Sequence, residues 1–139
     1  CMADGTSSSP RPRRHRQTIN RELTSPFLVR VFIGDAFHRR AEDFESWSRP
    51  RATGELHLYT WPDATLAEIA DLVREVNVAT RKPGSRLSIA HIYRDRRGKP
   101  VVQQVGVIHE ADREGPDGPI SLFEVGFRAG DYIDIAILS

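Results

Sequence analysis

Apolar positions along this chain change period twice, from alternation to a helical repeat and back, and those changes divide it into elements. Phe27 to Ile33 (FLVRVFI) is β-branched and aromatic, is interrupted by Arg30 and closes on the turn pair Gly34-Asp35, so it reads as a strand. If Arg30 faces water, alternation sends Leu28 and Phe32 outward with it and turns Val29, Val31 and Ile33 to the core. Glu55 to Trp61 (ELHLYTW) alternates Leu56, Leu58 and Thr60 against His57, Tyr59 and Trp61, a second strand expected to pair with the first as a hairpin. The connection, Gly34 to Gly54, contains Phe37, Phe44, Trp47 and Pro50; it is long for a hairpin loop and is expected to pack as a unit.

After Trp61 the repeat becomes helical. Pro62-Asp63 turns the chain, and Thr65 with Glu68 three residues on predicts a capping box. Leu66, Ile69, Leu72, Val73 and Val76 then form one apolar stripe, with Glu68, Asp71, Arg74 and Glu75 elsewhere on the wheel, as expected of a helix lying across a sheet. Lys82-Pro83-Gly84 ends this segment. Leu87 to Tyr93 resumes strand character, Asp95 to Pro100 is a turn, and Val101 to Ile108 is a fourth strand with Gly106 as a bulge candidate. The acidic stretch Ala111 to Pro119 is a loop, and Tyr132 to Leu138 is a final strand with Ile133, Ile135 and Ile137 on one face. Hairpin, helix, then further strands with the most apolar one last is the order of an α+β, ubiquitin-like β-grasp fold: a mixed sheet, one main helix and a long insertion between the first two strands.

At 139 residues, 39% hydrophobic and 28% charged, the chain is expected to be one globular domain. No stretch approaches the roughly 18 uninterrupted apolar residues of a membrane helix. The first twenty residues lack an apolar secretory segment, and a single cysteine, Cys1, cannot form an internal disulfide, so a reducing intracellular setting is expected. Charge is uneven: residues 1–21 carry five arginines and one aspartate, and the remainder has 15 basic against 18 acidic residues. Residues 1–21 are expected to be a flexible basic tail and residues 22–139 the folded domain. The tail suits nuclear import or weak electrostatic contact, and the mildly acidic body argues against a nucleic-acid-binding domain.

The residue types of a catalytic site are present without the spacing. Histidines at 15, 38, 57, 91 and 109 have no Cys or carboxylate partner at metal-ligand spacing, so no metal or other cofactor is expected. His57 and His91 fall inside strands, where a structural role is the expectation. Glu42-Asp43 lies in a loop, Asp131 and Asp134 flank the last strand and are expected at a solvated edge, and no nucleophile elbow or phosphate loop occurs. The feature that stands out is the side of the hairpin turned away from the helix. Leu28, Phe32, Tyr59 and Trp61 make it unusually apolar, and Arg30 and His57 share it. Either the insertion folds over this side, or part of it stays open as a partner-binding surface.

Four blocks in this order carry a resemblance: INRE at Ile19 to Glu22, SPFLVRVF at Ser25 to Phe32, ELHLYTWPDATLAEIADLVREV at Glu55 to Val76, and GDYIDIAI at Gly130 to Ile137. Together they are similar to the small, nominally eighteen-kilodalton, SIN-three-associated polypeptide family, over about Ile19 to Leu138. The resemblance implies a ubiquitin-like fold and a non-catalytic nuclear adaptor. It implies membership of the SIN-three histone deacetylase co-repressor, which silences transcription. It also implies membership of the splicing-associated ASAP complex, with an Acinus-like or, in the PSAP form, a pinin-like peptide segment and a serine-rich RNA-binding protein, so that RNA is contacted only indirectly. No membrane partner is implied. Two other classes weigh against it: a ubiquitin-like modifier, which ends in an exposed Gly-Gly where this chain reads Ile137-Leu138-Ser139, and a direct RNA binder, whose aromatic and basic strand motifs are missing.

Overall fold

The computed structural model describes residues 19–35, 37–46, 54–110 and 115–138. Strands β1 (Phe27–Asp35), β2 (Glu55–Thr60), β3 (Arg86–Arg94), β4 (Pro100–His109) and β5 (Tyr132–Leu138) form one sheet in the order β2-β1-β5-β3-β4, with helix α1 (Leu66–Val76) across it. β1 pairs with β2 antiparallel and with β5 parallel, and β3 runs antiparallel to β5 and β4. This is the mixed sheet and one main helix of the ubiquitin-like β-grasp.

The main core lies between sheet and helix, where alternation predicted it. Val29 and Val31 of β1, Leu58 of β2, Leu87 and Ile89 of β3 and Ile133 and Ile135 of β5 meet Leu66, Ile69, Ala70 and Val73 of α1. Val76 falls outside the buried stripe at 58% exposure, because α1 ends there. What ends it is Asn77, whose side chain accepts from the Ala79 amide at 3.0 Å and starts a short 3-10 turn, well before Lys82-Pro83-Gly84. At the other end Thr65 caps as expected, accepting from the Glu68 amide at 3.2 Å. The reciprocal half of the capping box is replaced, since the Glu68 carboxylate is turned to Arg21, which donates to both its oxygens at 2.9 and 3.0 Å. Leu122, Val125 and Phe127, from a segment without periodicity, close the open end of this core, and the Thr65–Ser121 bridge ties that segment to the helix start.

Between Ile89 and Ala90 the β3–β4 register steps from Gly106 to Gln104, so Val105 is the extra residue of a bulge. Gly106 beside it serves packing: a β-carbon there would stand 2.6 Å from Leu66 Cδ1. A side chain there would force the buried Leu66 to shift.

A second, smaller core occupies the opposite side of the sheet. Phe32, Phe44, Ile92 and Tyr132 are all buried and Val102 packs against them, with the Phe32 ring edge-on to Phe44 at 5.4 Å and to Tyr132 at 5.6 Å. Phe44 arrives from the insertion on a short 3-10 helix, Ala41–Phe44. The insertion is held by charge as well as by apolar contact. Asp134, fully buried on β5, accepts from Arg39 Nη1 at 2.8 Å and from the Arg39 amide at 3.2 Å, and pairs with His38 Nδ1 at 2.7 Å. His38 Nε2 meets Ser88 Oγ at 2.8 Å. Asp134 is therefore no solvated edge residue, and Asp131 is also buried, 2.9 Å from His91 Nε2. Sequence alone could not show that both carboxylates face cationic or imidazole partners from segments 40 and more residues away. The expectations for Trp47 and Pro50, and for the tail up to residue 18, fall outside the described residues.

Candidate partner-binding face

The exposed chemistry concentrates where β2 forms one border of the sheet. The register pairs Leu28 with Tyr59, Arg30 with His57 and Phe32 with Glu55, all on the side away from α1. The Ile33 amide donates to Gly54 O at 3.2 Å, fixing which pairs are hydrogen-bonded. In an antiparallel ladder bonded pairs alternate, so those at Leu56, Leu58 and Thr60 point inward to β1. The amides and carbonyls of Glu55, His57 and Tyr59 consequently turn to the free border, with their side chains on the open face.

The six candidate residues divide into groups. Leu28 and Tyr59 are open, at 36% and 67% exposure, and being directly cross-strand they form one apolar step beside the free border. Phe32 is fully buried under Phe44 and is removed from the accessible set; among the described residues of the insertion, Phe44 covers the distal part of the face, while Leu28 and Tyr59 stay exposed. Arg30 and His57 make a polar floor through Glu55: Arg30 Nε donates to Glu55 Oε2, and His57 Nε2 lies 2.8 Å from the same oxygen. The Arg30 guanidinium also donates to the Tyr132 hydroxyl at 3.0 Å and lies over that ring at 4.9 Å.

These contacts set the local charge. The Arg30 hydrogen bond holds the Glu55 carboxyl below its ordinary value and lifts the Arg30 guanidinium, so both are charged over the physiological range. Burial pushes the Tyr132 phenol upward, with the Arg30 charge pulling the other way.

Trp61, the sixth candidate, is half-buried and partly committed: its Nε1 donates to Thr24 O at 2.6 Å and the Arg21 guanidinium lies 4.8 Å over its ring. Arg21 also donates to Asp63 at 2.9 Å, and with the Glu68 bonds this lifts its own titration further. The chain thus enters the fold pinned beside the face, with Leu23 exposed at 84% in the pinned segment. Leu23 was missed because it lies in no periodic stretch; its only signal was a lone apolar residue between INRE and the first strand. Among the described residues no group of three or more His, Cys, Asp or Glu side chains is placed to hold a metal ion, and no helix is long and apolar enough to cross a membrane.

Fold and face together define a ubiquitin-like β-grasp domain whose long first connection is folded back as a second layer. The chain belongs to the Sin3 associated polypeptide p18 (SAP18) family, whose family model matches residues 18–137. It is 39% identical over 134 residues to the histone deacetylase complex subunit SAP18 of Arabidopsis thaliana, covering 96% of this chain and 87% of that one. To the Homo sapiens protein of the same name it is 39% identical over 121 residues, 86% of this chain and 77% of that one. To the Drosophila melanogaster protein it is 35% identical over 137 residues, 98% and 89%.

Proposed function

We propose that this chain is a non-catalytic adaptor subunit of a nuclear histone deacetylase co-repressor complex, holding an extended peptide of a larger partner against β2 and the Leu28–Tyr59 step. The name carried by its relatives supports the assembly. The observation that carries the mode of binding is an exposed aromatic-aliphatic pair beside β2, the outermost strand of the sheet among the described residues. A peptide added there gains main-chain hydrogen bonds at Glu55, His57 and Tyr59, while the side chains of Tyr59, Leu28 and Trp61 anchor it and Arg30 and His57 bound the floor.

In the co-repressor the partner is a segment of the SIN-three assembly. In the splicing-associated assembly it is an Acinus-like or pinin-like segment alongside a serine-rich RNA-binding protein, with RNA reached through those partners. The test is recovery of the tagged chain from nuclear extract with quantitative mass spectrometry, comparing parent with Tyr59→Ala. Deacetylase subunits are expected with the parent and depleted with the variant, and splicing-associated subunits report the second assembly in the same run. Equal recovery of both sets by a folded Tyr59→Ala chain overturns the face, and recovery of neither set by the parent overturns the adaptor reading.

A further inference from the structure

We propose that the tip of the β3–β4 hairpin is a phosphate-contact site for double-stranded DNA, separate from the peptide face on β2. The tip reads Arg94-Asp95-Arg96-Arg97-Gly98-Lys99-Pro100. Its single carboxylate is turned inward: Asp95 Oδ1 accepts from the amides of Arg97 at 2.9 Å and Lys99 at 3.0 Å. The Asp95 amide donates to Lys99 O at 2.8 Å, the Gly98 amide to Asp95 O at 2.9 Å, and Gly98 takes the φ of +80° that the turn requires. The loop is thus fixed by its own backbone. Arg94, Arg96, Arg97 and Lys99 are exposed on it. Among the described residues no hydrogen bond or ion pair engages the side chain of Arg96, Arg97 or Lys99.

The composition of the body hides this. The mild acidity is a sum over the whole body, whereas residues 94–100 hold four cations against the one carboxylate of Asp95. The shape selects the ligand. Phosphopeptides are held by arginines clustered beside a groove that also takes the flanking side chains. This tip is an exposed turn whose flanking residues Tyr93, Pro100 and Val101 are buried in the sheet, so its cations stand out together from a fixed base and match the run of phosphates along a duplex backbone. Binding is sequence-independent and weak, with the steep salt dependence of released counterions.

The experiment is fluorescence anisotropy of the full chain with a labelled duplex of about 20 base pairs, titrated with salt from about 50 mM upward. The parent is compared with the triple variant Arg96→Ser, Arg97→Ser, Lys99→Ser, and with a tail variant carrying serine at Arg11, Arg13, Arg14 and Arg16. Each phosphate contact contributes roughly 0.9 to the slope of log affinity against log salt, so the triple variant should lose about 2 to 3 units of slope. Circular dichroism checks its fold; if it melts early, Lys99→Glu alone is read in its place. No binding by the parent at the lowest salt, an unchanged slope in the folded variant, or loss confined to the tail variant overturns the site. Tighter binding of a phosphoserine peptide than of the duplex, itself dependent on the three cations, overturns the choice of DNA.

Discussion

Phe32 and Tyr59 show at the residue scale how two aromatic side chains on one face take different roles. Phe32 meets Phe44 and Tyr132 edge-on inside the second core, so Phe32→Ala should cost about 3–5 kcal/mol, read as a fall in the urea midpoint. Tyr59 stands two-thirds in water, so Tyr59→Ala should change stability by less than about 0.5 kcal/mol while weakening the partner peptide by roughly thirtyfold in calorimetry. A Tyr59→Ala chain that melts as early as Phe32→Ala would place that ring inside a packed layer.

Glu55 gives a prediction with a definite sign. Its folded-state titration lies below the ordinary carboxylate range because of Arg30, so the contribution is fully present above about pH 4.3, the unfolded value, and is lost as pH falls through the lower folded one. Glu55→Gln should flatten that part of the acid-stability curve. An unchanged curve would mean solvent already screens the pair.

Among the elements, the insertion matters most, because whether it lies on the sheet decides how much of the face a partner can reach. Apolar contact through Phe44 and a buried ionic clasp on Asp134 both hold it. Asp134→Ala leaves Arg39 and His38 facing a buried void, and a loss of about 3–5 kcal/mol by denaturant unfolding is expected. Hydrogen exchange in the same variant should report local release of residues 37–46 before global unfolding. At α1, Thr65→Ala should cost about 0.5–2 kcal/mol in thermal melts, the loss of one cap. No further loss from a reciprocal Glu68 bond is expected, since that carboxylate serves Arg21.

For the whole molecule, this bonding places the useful boundary of the tail. Removing residues 1–18 should leave the melting temperature within a few degrees, whereas a deletion running through Arg21 also removes its bonds to Asp63 and Glu68 and its stacking on Trp61, and should melt earlier. Equal melting of the two truncations would show that the Arg21 contacts add nothing measurable at the surface. On the two proposals, peptide at β2 and phosphate at the β3–β4 tip, the sites lie at opposite borders of the sheet, so variants of one should leave the other's binding intact.

The sequence by itself determined the strands, the helix, their order and the side of each strand that meets the helix, because alternation and the helical repeat are local properties that burial amplifies. The capping Thr65 and the Gly106 bulge region were legible for the same reason. Of the candidate site, Leu28 and Tyr59 were correctly set on the face away from the helix. Only the tertiary structure decided that Phe32 is covered, that Trp61 is half occupied by Thr24 and Arg21, and that Asp131 and Asp134 are buried. Each of these depends on a partner far away in sequence, and no periodicity records which distant segment comes to lie on the second side of a sheet.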